Sequence, residues 1–191
     1  MVKLTDISPL VRQILDKRGL TDDASKLAFL NPSYDDTNYD PMLLPGMAQA
    51  VERLLRARDQ HEQVTVYCDY DVDGTTSAAV LLDALPRFGL TVSYYVPDRF
   101  AEGYGLNKEA IKKLHQAGTQ LILTVDNGIV SFDEVNYATE LGMDVIVTDH
   151  HTPRDTVPAA AAGGDPKLLI RDYPDWYDDH FVITSTAAGD G

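Results

Sequence analysis

The sequence predicts an α/β fold: a mainly parallel sheet with helices on both faces, preceded by an N-terminal helical segment. Four short β-branched or apolar runs recur between residues 64 and 151, and helical segments separate them. Strand and helix that alternate at this spacing are typical of right-handed βαβ units. The 44% of hydrophobic and 24% of charged residues fit an ordinary globular chain of 191 residues.

The N-terminal segment, residues 1–60, reads as helical and wrapping structure. A helix over 8–19 has Ser8 as N-cap, Pro9 at its first position and Gly19 as its stop. Its apolar stripe is Leu10, Val11, Ile14 and Leu15. Residues 22–46 open with a short helix and continue as an ordered wrapping segment. A second amphipathic helix over 47–60 is predicted to face inward with Met47, Val51, Leu54 and Leu55.

The core is predicted over residues 61–162. Its strands are expected at 64–70, 91–98, 119–128 and 143–151. Its first helix begins at Thr75 and ends near Pro86. Two further helices carry capping signals, with Asn107 and Gly118 bounding one, and Ser131 and Gly142 the other. Residues 163–191 form a divergent tail with one strand-like run, "HFVITST".

Charge and composition exclude several classes of protein. The net charge of −14 argues against nucleic-acid binding unless divalent cations invert the local sign at a carboxylate cluster. The single cysteine, Cys68, excludes an internal disulfide and fits a reducing compartment. Zinc-finger spacing, a membrane-spanning run and a signal peptide are not seen. We therefore expect a cytoplasmic protein that does not bind a membrane.

Acidic and imidazole side chains follow three of the predicted strands. The residues are Asp69, Asp71 and Asp73 after the first strand, Asp126 after the third, and Asp149, His150 and His151 at the end of the fourth. The carboxyl ends of parallel strands lie at one edge of the sheet, and open α/β sheets bind ligands there, near a topological switch point. Segments some 80 residues apart are therefore expected to meet.

Each piece taken alone also has a purely structural interpretation. Asp126 could cap a helix or form a turn, and "DHH" could be a turn with solvated imidazoles. "DYDVDG" could be a turn, and although it resembles a calcium loop it lacks the glutamate expected at loop position 12. All three meeting at one sheet edge favours a metal site. Oxygen and imidazole ligands suit Mn²⁺ or Mg²⁺, and two ions about 4 Å apart support attack of an activated water on a phosphoryl group.

Three motifs resemble those of the DHH family of phosphoesterases, and within it most closely the RecJ-like single-strand exonucleases. They are "DYDVDGTTS" at 69–77, "VDNG" at 125–128 and "DHH" at 149–151. Three further segments are also similar: "FLNPS" at 29–33, "GMAQAVERLLRA" at 46–57 and "VPDRFAEGYGLN" at 96–107. The similarity covers roughly residues 8–160, with the motifs in the order of the family.

The resemblance implies roles for particular residues. The implied metal ligands are Asp69, Asp71, Asp73, Asp126, Asp149 and His150, with Asp126 bridging two ions. His151 would be a further ligand or would polarise the scissile phosphate, so the implied catalytic residues are Asp126, His150 and His151. The implied substrate-binding residues are Gly74, Thr75, Thr76 and Ser77, through backbone amides at a helix start, together with Arg99 and Tyr104. Simple capping is the alternative for the first four, and a solvated loop charge is the alternative for Arg99.

Two functions from different classes follow. The first is a Mn²⁺- or Mg²⁺-dependent phosphodiesterase, as a 5′→3′ exonuclease that acts on single-stranded DNA or a short oligonucleotide in repair and recombination. The alternative is a non-catalytic DHH domain that binds replication or repair proteins. Beyond about residue 162 the similarity ends, before a further aspartate ligand that the family carries. Asp190 is a candidate replacement, weighed against an incidental aspartate in the tail.

Overall fold

A computed structural model describes residues 1–33, 40–44, 46–152, 154 and 158, and the backbone of residues 182–185. The chain forms two compact units, which divide between Pro41 and Met42. The boundaries predicted at residues 60 and 162 stay predictions. Asp190 lies outside the described residues, as do most of the tail and part of the wrapping segment. Within the described part of the chain, no helix is both long and apolar enough to cross a membrane.

The first unit contains helices α1 (Pro9–Lys17) and α2 (Asp23–Leu30). The predicted cap is confirmed, because the Ser8 side chain accepts a hydrogen bond from the Val11 amide at 3.3 Å. Of the predicted apolar stripe only Leu15 is buried, whereas Leu10 and Ile14 are exposed. The predicted apolar stripe of α1 is therefore exposed over much of its length.

The second unit is built on a five-stranded sheet in the order β2-β1-β3-β4-β5. Its strands are β1 (Gln63–Cys68), β2 (Thr91–Tyr95), β3 (Leu121–Val125), β4 (Asp144–Asp149) and β5 (Val182–Ser185). The first four are parallel, and β5 pairs antiparallel with β4. The predicted, mainly parallel sheet is confirmed, and its added antiparallel edge falls on the strand-like run "HFVITST".

Helices cover both faces of this sheet, as predicted. They are α3 (Met47–Asp59), α4 (Val72–Arg87), α5 (Lys108–Gln116) and α6 (Phe132–Glu140). One core cluster joins α3 and α4 to strand residues such as Val66 and Leu123, and the other joins α5 and α6 to Tyr67 and Ile122. Neighbouring residues of one strand thus enter opposite clusters, because strand side chains alternate between faces. The predicted cap of α5 is confirmed, since Asn107 accepts from the Ala110 amide at 2.7 Å. The Ser131 side chain makes no capping bond to α6.

The predicted inward face of α3 is confirmed for Met47 and Leu54, which pack against the core, and is wrong for Val51 and Leu55. Val51 and Leu55 are exposed, and the buried residues of the helix are Ala50, Arg53 and Ala57. The arginine is buried because Glu62 and Asp144 neutralise it, and these lie before β1 and at the first position of β4. Its Nη2 donates to Glu62 Oε2 at 2.5 Å and its Nε to Asp144 Oδ2. An ion pair thus ties α3 to the amino-terminal edge of the sheet, opposite the acidic motifs.

Every predicted strand runs past the observed one at its carboxyl end. The sheet pairing stops at Cys68, Tyr95, Val125 and Asp149, two or three residues before the predicted ends. The residues beyond β1, β3 and β4 are those of the three motifs, and they leave the sheet at its carboxyl edge. Because the residues beyond the strand ends are not paired in the sheet, their side chains can approach one another.

Candidate metal centre

The three motifs meet at the topological switch of the sheet. From β1 the chain crosses to β2 on one side and then returns to β3 on the other. A crevice forms outside the carboxyl ends of strands at such a point. Asp69 and Asp126 directly follow β1 and β3, and His150 directly follows β4. The fold thus brings these distant segments together at one edge of the sheet, as predicted.

Two groups of potential ligand atoms form there, and they share one residue. Asp69, Asp71 and Asp126 form the first group, and Asp126, His150 and His151 form the second. Within each group the ligand atoms lie within 4.8 Å of one another. Asp126 therefore stands between an all-carboxylate side and an imidazole side. Five of the predicted site residues are brought together in this way.

Asp126 reaches both groups through an unusual backbone. Its φ of +62° lies in the left-handed region, which a non-glycine residue adopts at a cost of about 1–2 kcal/mol. Its amide still donates to the Thr148 carbonyl at 3.0 Å, so the turn begins with the residue held by β4. The carboxylate Oδ1 lies 2.9 Å from Nε2 of His150 and 3.9 Å from Nδ1 of His151. Strained residues of this kind are concentrated at functional sites.

The carboxylates of the cluster are electrostatically crowded. Burial raises the pKa of Asp126, and the charge of Asp71 raises it further, while the hydrogen bond with His150 opposes both. Burial likewise raises the pKa of Asp69. The pKa of Asp71 is lowered, chiefly by the hydrogen bond from the Gly74 amide. A bound cation would relieve the repulsion between these carboxylates.

Asp71 also begins helix α4, which starts three residues before the predicted Thr75. The Asp71 side chain caps the helix by accepting from the Gly74 amide at 2.9 Å. Gly74 packs directly on the end of β1: a Cβ there would lie 2.5 Å from the carbonyl oxygen of Asp69 and 2.7 Å from its nitrogen. Only glycine fits this contact without movement of the backbone. The two aspartates are therefore held together by a glycine between helix and strand.

The phosphate contact expected from Gly74, Thr75, Thr76 and Ser77 stays a prediction, but hydrogen bonds within the protein already engage several of these groups. The Gly74 amide donates to the Asp71 side chain, and the Thr75 amide donates to the Asp71 carbonyl at 3.0 Å. The Thr75 and Thr76 hydroxyls donate to main-chain carbonyls one turn back, at 2.6 Å each. Because the helix starts early, these groups are engaged inside its first turns. The bonds of the Gly74 and Thr75 amides to Asp71 are those that the capping alternative predicts.

Both carboxylate oxygens of Asp149 are hydrogen-bonded, and its role as a metal ligand stays a prediction. Its Oδ2 accepts from the Ile129 amide at 2.9 Å. Its Oδ1 accepts from the amides of His150 and His151 at 2.8 and 3.1 Å, and it lies 2.7 Å from Nδ1 of His151. The buried carboxylate thus fixes the two histidines, and it belongs to neither ligand group. Asp73 also lies outside both groups, exposed in the first turn of α4.

The pKa of His151 reflects this acidic setting. Burial alone would lower it, but the hydrogen bond and the charge of Asp149 raise it, with smaller contributions from Asp126 and Asp69. The contact with Asp149 engages Nδ1, so Nε2 is the nitrogen left to face the site.

The loop between β2 and α5 lies against the cluster. The Tyr104 hydroxyl donates to the Asp126 carbonyl at 3.2 Å and lies 3.3 Å from Nε2 of His151. The Arg99 guanidinium lies 5.3 Å from the centre of the Tyr70 ring. In the sequence, Tyr70 stands between Asp69 and Asp71, the first two aspartates of the motif. Burial and four surrounding carboxylates raise the pKa of the Tyr104 phenol, so it remains a hydrogen-bond donor. Both predicted loop residues thus contact the motifs.

Comparison with known proteins identifies the family of this chain. The family model described as "DHH family, N-terminal domain" matches residues 63–168, more than half of the chain. The chain belongs to the DHH family. Two curated relatives carry the name "Single-stranded-DNA-specific exonuclease RecJ". The Bacillus subtilis protein is 43% identical over 88% of this chain, and the Escherichia coli protein is 40% identical over 88%. This chain spans only 21% and 29% of their respective lengths.

Solved structures give the same family. A crystal structure of exonuclease RecJ bound to manganese matches 69% of this chain, with a TM-score of 0.59 and 38% sequence identity. The match covers 33% of the RecJ chain in that structure. A RecJ complex with Mn²⁺ from Thermus thermophilus matches 84% with a TM-score of 0.60 and 30% identity, over 22% of that chain. The DHH fold predicted from the three motifs is therefore confirmed.

This DHH domain holds its loop with residues that the sequence did not single out. Glu102 accepts from the Tyr95 hydroxyl at 2.6 Å, the Asp98 amide at 2.8 Å and Lys113 Nζ at 2.9 Å. These bonds, that of Tyr95 first, lower the pKa of Glu102 to about 2. At the other end of the loop, the buried Tyr67 hydroxyl donates to the Gly105 carbonyl at 3.0 Å.

Asn127 is a second residue whose role appears only in the fold. It is fully buried after Asp126, and its Nδ2 donates to the carbonyls of Val125 at 2.9 Å and Tyr67 at 3.3 Å. It thereby joins the ends of β1 and β3 beneath the cluster. The motif "VDNG" was its only signal, because an asparagine in a turn is indistinguishable from one that spans two strands.

Proposed function

We propose that this DHH chain is a metal-dependent phosphodiesterase that removes nucleotides from single-stranded DNA, with Mn²⁺ or Mg²⁺ as cofactor. One observation carries the proposal: Asp126 belongs to both groups of potential ligands. Two ions that share one bridging carboxylate are a common arrangement in phosphoryl-transfer sites. The printed names of the curated relatives, single-stranded-DNA-specific exonucleases, support the substrate class.

The donor set fits such ions. Carboxylate oxygens and imidazole nitrogens suit Mn²⁺ and Mg²⁺, whereas the thiol of Cys68 is buried and directed at the Tyr95 carbonyl. Burial first, and the charge of Asp71 after it, raise the pKa of Asp69 and Asp126, and a bound cation would favour the charged form of both carboxylates. RecJ structures that hold manganese support Mn²⁺ as the ion.

We assign roles by position. Asp69 and Asp71 would hold one ion, His150 the other, and Asp126 both. When bound, the ions would acidify water and neutralise charge on phosphate oxygens. His151, oriented through Nδ1 by Asp149, would present Nε2 to the second ion or to the scissile phosphate. Asp73 and Asp149 are proposed to support the site, not to bind metal.

The chain's own side chains would orient the substrate. Tyr104 would hold the His151 ring and the Asp126 turn at once, and Arg99 would offer the positive charge of the loop to a phosphate. The net charge of −14 makes such local cations important, since the bulk field repels DNA. The 5′→3′ direction and a place in repair and recombination belong to the same proposal. The alternative of a non-catalytic binding domain is disfavoured by the shared ligand groups.

The test is cleavage of an end-labelled single-stranded oligonucleotide by the 191-residue chain with Mn²⁺. We expect nucleotide release by the wild type, loss of activity with a chelator, and loss in Asp126→Ala. The matched control is Asp133→Ala, an exposed aspartate in the first turn of α6, which should cleave like the wild type. Undiminished cleavage by Asp126→Ala would overturn the proposal.

A further inference from the structure

The tip of the loop between β2 and α5 is an ordered turn. Asp98 Oδ1 accepts from the amides of Phe100 and Ala101 at 2.9 Å each, and the Asp98 carbonyl accepts from the Glu102 amide at 2.8 Å. Glu102 in turn accepts from the Asp98 amide. The turn is therefore closed by hydrogen bonds from both of its ends.

This ordered turn presents a fully exposed aromatic ring. Phe100 is 97% exposed, so its ring has no packing partner within the described residues. A single exposed apolar residue is ordinary on a protein surface. Here, however, Phe100 directly follows Arg99, whose guanidinium lies over the Tyr70 ring. The exposed ring thus directly follows, in the sequence, the arginine of a cation–aromatic pair.

The position of this group relates it to the metal centre. Tyr70 lies between Asp69 and Asp71, and Tyr104 of the same loop donates to the Asp126 carbonyl. The ring of Phe100 is therefore carried by a loop that contacts both sides of the candidate site. A strand of nucleic acid with its phosphate at the cluster would bring its neighbouring bases towards this loop.

We propose that Phe100 is a stacking platform for an unpaired nucleobase of the substrate, beside the Arg99–Tyr70 pair. The inference rests on the proposed function and names one subsite of it. Proteins that bind single strands combine cationic groups with aromatic rings on which bases stack. In a chain with a net charge of −14, stacking supplies affinity that does not depend on bulk charge. It also favours a single strand, because a duplex keeps the faces of its bases covered.

The test combines variants of one ring with removal of one base. Single-stranded oligonucleotides carry an abasic tetrahydrofuran residue at successive positions from the cleaved end, and KM is compared with that of the intact oligonucleotide. The variants are Phe100→Ala and Phe100→Trp. The matched control is Phe88→Ala, which removes a ring that is 70% exposed, after the far end of α4.

We expect one abasic position to raise the KM of the wild type about 5- to 140-fold, the range for one stacked base. Phe100→Ala should show a similarly raised KM on intact DNA and no further loss at that position. Phe100→Trp and Phe88→Ala should behave like the wild type. Equal KM values for intact and abasic DNA in the wild type would overturn the proposal, as would a Phe100→Ala defect that is the same at every position.

Absence of cleavage by the wild type would count against the proposed function alone. The subsite is then decided by fluorescence anisotropy with the same oligonucleotides and Mn²⁺. The same pattern of dissociation constants would support stacking at Phe100. Dissociation constants that change with neither the Phe100 substitutions nor the abasic position, or an absence of binding, would contradict it.

Discussion

Gly74→Ala is the substitution whose effect runs against the ordinary rule for helices. Gly74 lies in the first turn of α4, where alanine usually improves on glycine by about 0.5–1 kcal/mol. Here an added Cβ would meet three backbone atoms of Asp69, the carbonyl oxygen at 2.5 Å, the nitrogen at 2.7 Å and the carbonyl carbon at 2.8 Å. None of them belongs to a side chain that could turn away. We therefore predict that the substitution destabilises the protein.

The size of the effect follows from these contacts. Forcing extra carbon into a packed site costs about 1–3 kcal/mol, and more where backbone must move. Because the contacted atoms are backbone, we take the upper part of that range, about 2–3 kcal/mol. After subtraction of the gain in helix propensity, about 0.5–1 kcal/mol, the net loss is about 1–2.5 kcal/mol, or a fall in Tm of about 2–10 °C for a domain of this size. Separation of β1 from α4 would also move Asp69 away from Asp71. Supporting changes of this kind weaken metal binding about 10- to 100-fold.

Thermal unfolding without metal and calorimetric titration with Mn²⁺ measure the two effects. Val72→Ala is the control, because Val72 is exposed at the first position of the same helix and its loss should cost less than about 0.5 kcal/mol. A Gly74→Ala protein that unfolds at the wild-type temperature or higher, with unchanged Mn²⁺ affinity, would refute the proposed glycine contact.

Two further predictions concern ion pairs outside the cluster. Glu102→Gln removes a charge whose pKa is lowered from 4.5 to about 2, so its stability deficit in urea should be present above pH 4.5 and shrink as the pH falls towards about 2. A deficit that is independent of pH would contradict this. Arg53→Met leaves buried Glu62 without its partner and should cost about 3–5 kcal/mol in urea unfolding, whereas Arg58→Met, at an exposed pair, should cost less than about 1 kcal/mol. Similar losses for the two variants would show that the buried pair is not important for stability.

The mainly parallel sheet and the convergence of the three motifs at its carboxyl edge could both be predicted from the sequence. Apolar runs separated by capped helices predict parallel strands, and parallel strands place Asp69, Asp126 and His150 at one edge whatever the details of packing. Two of the three predicted caps, at Ser8 and Asn107, were also correct, because the partner amide lies three residues away, whereas Ser131 makes no such bond. These features depend on neighbours in sequence or on the general geometry of βαβ units.

The roles of Asp149 and Arg53 could not be predicted because they depend on partners distant in sequence. The Ile129 amide reaches Asp149 Oδ2 only through the turn after β3, 20 residues earlier in the chain, and the metal contact of Asp149 stays a prediction. Glu62 and Asp144 reach Arg53 from the starts of β1 and β4, and no local pattern in the sequence indicates that this arginine is buried. Both sets of contacts exist only in the folded protein.

The central claim is that Asp126 is shared by two ions, and calorimetric titration of the 191-residue chain with Mn²⁺ tests it most directly. We predict two bound ions for the wild type. Asp126→Asn, which keeps the size of the side chain and removes its charge, should lose affinity at both sites together, while Asp133→Asn should bind two ions as before. One ion in the wild type, or an Asp126→Asn protein that loses one ion and retains the other at full affinity, would contradict a shared carboxylate.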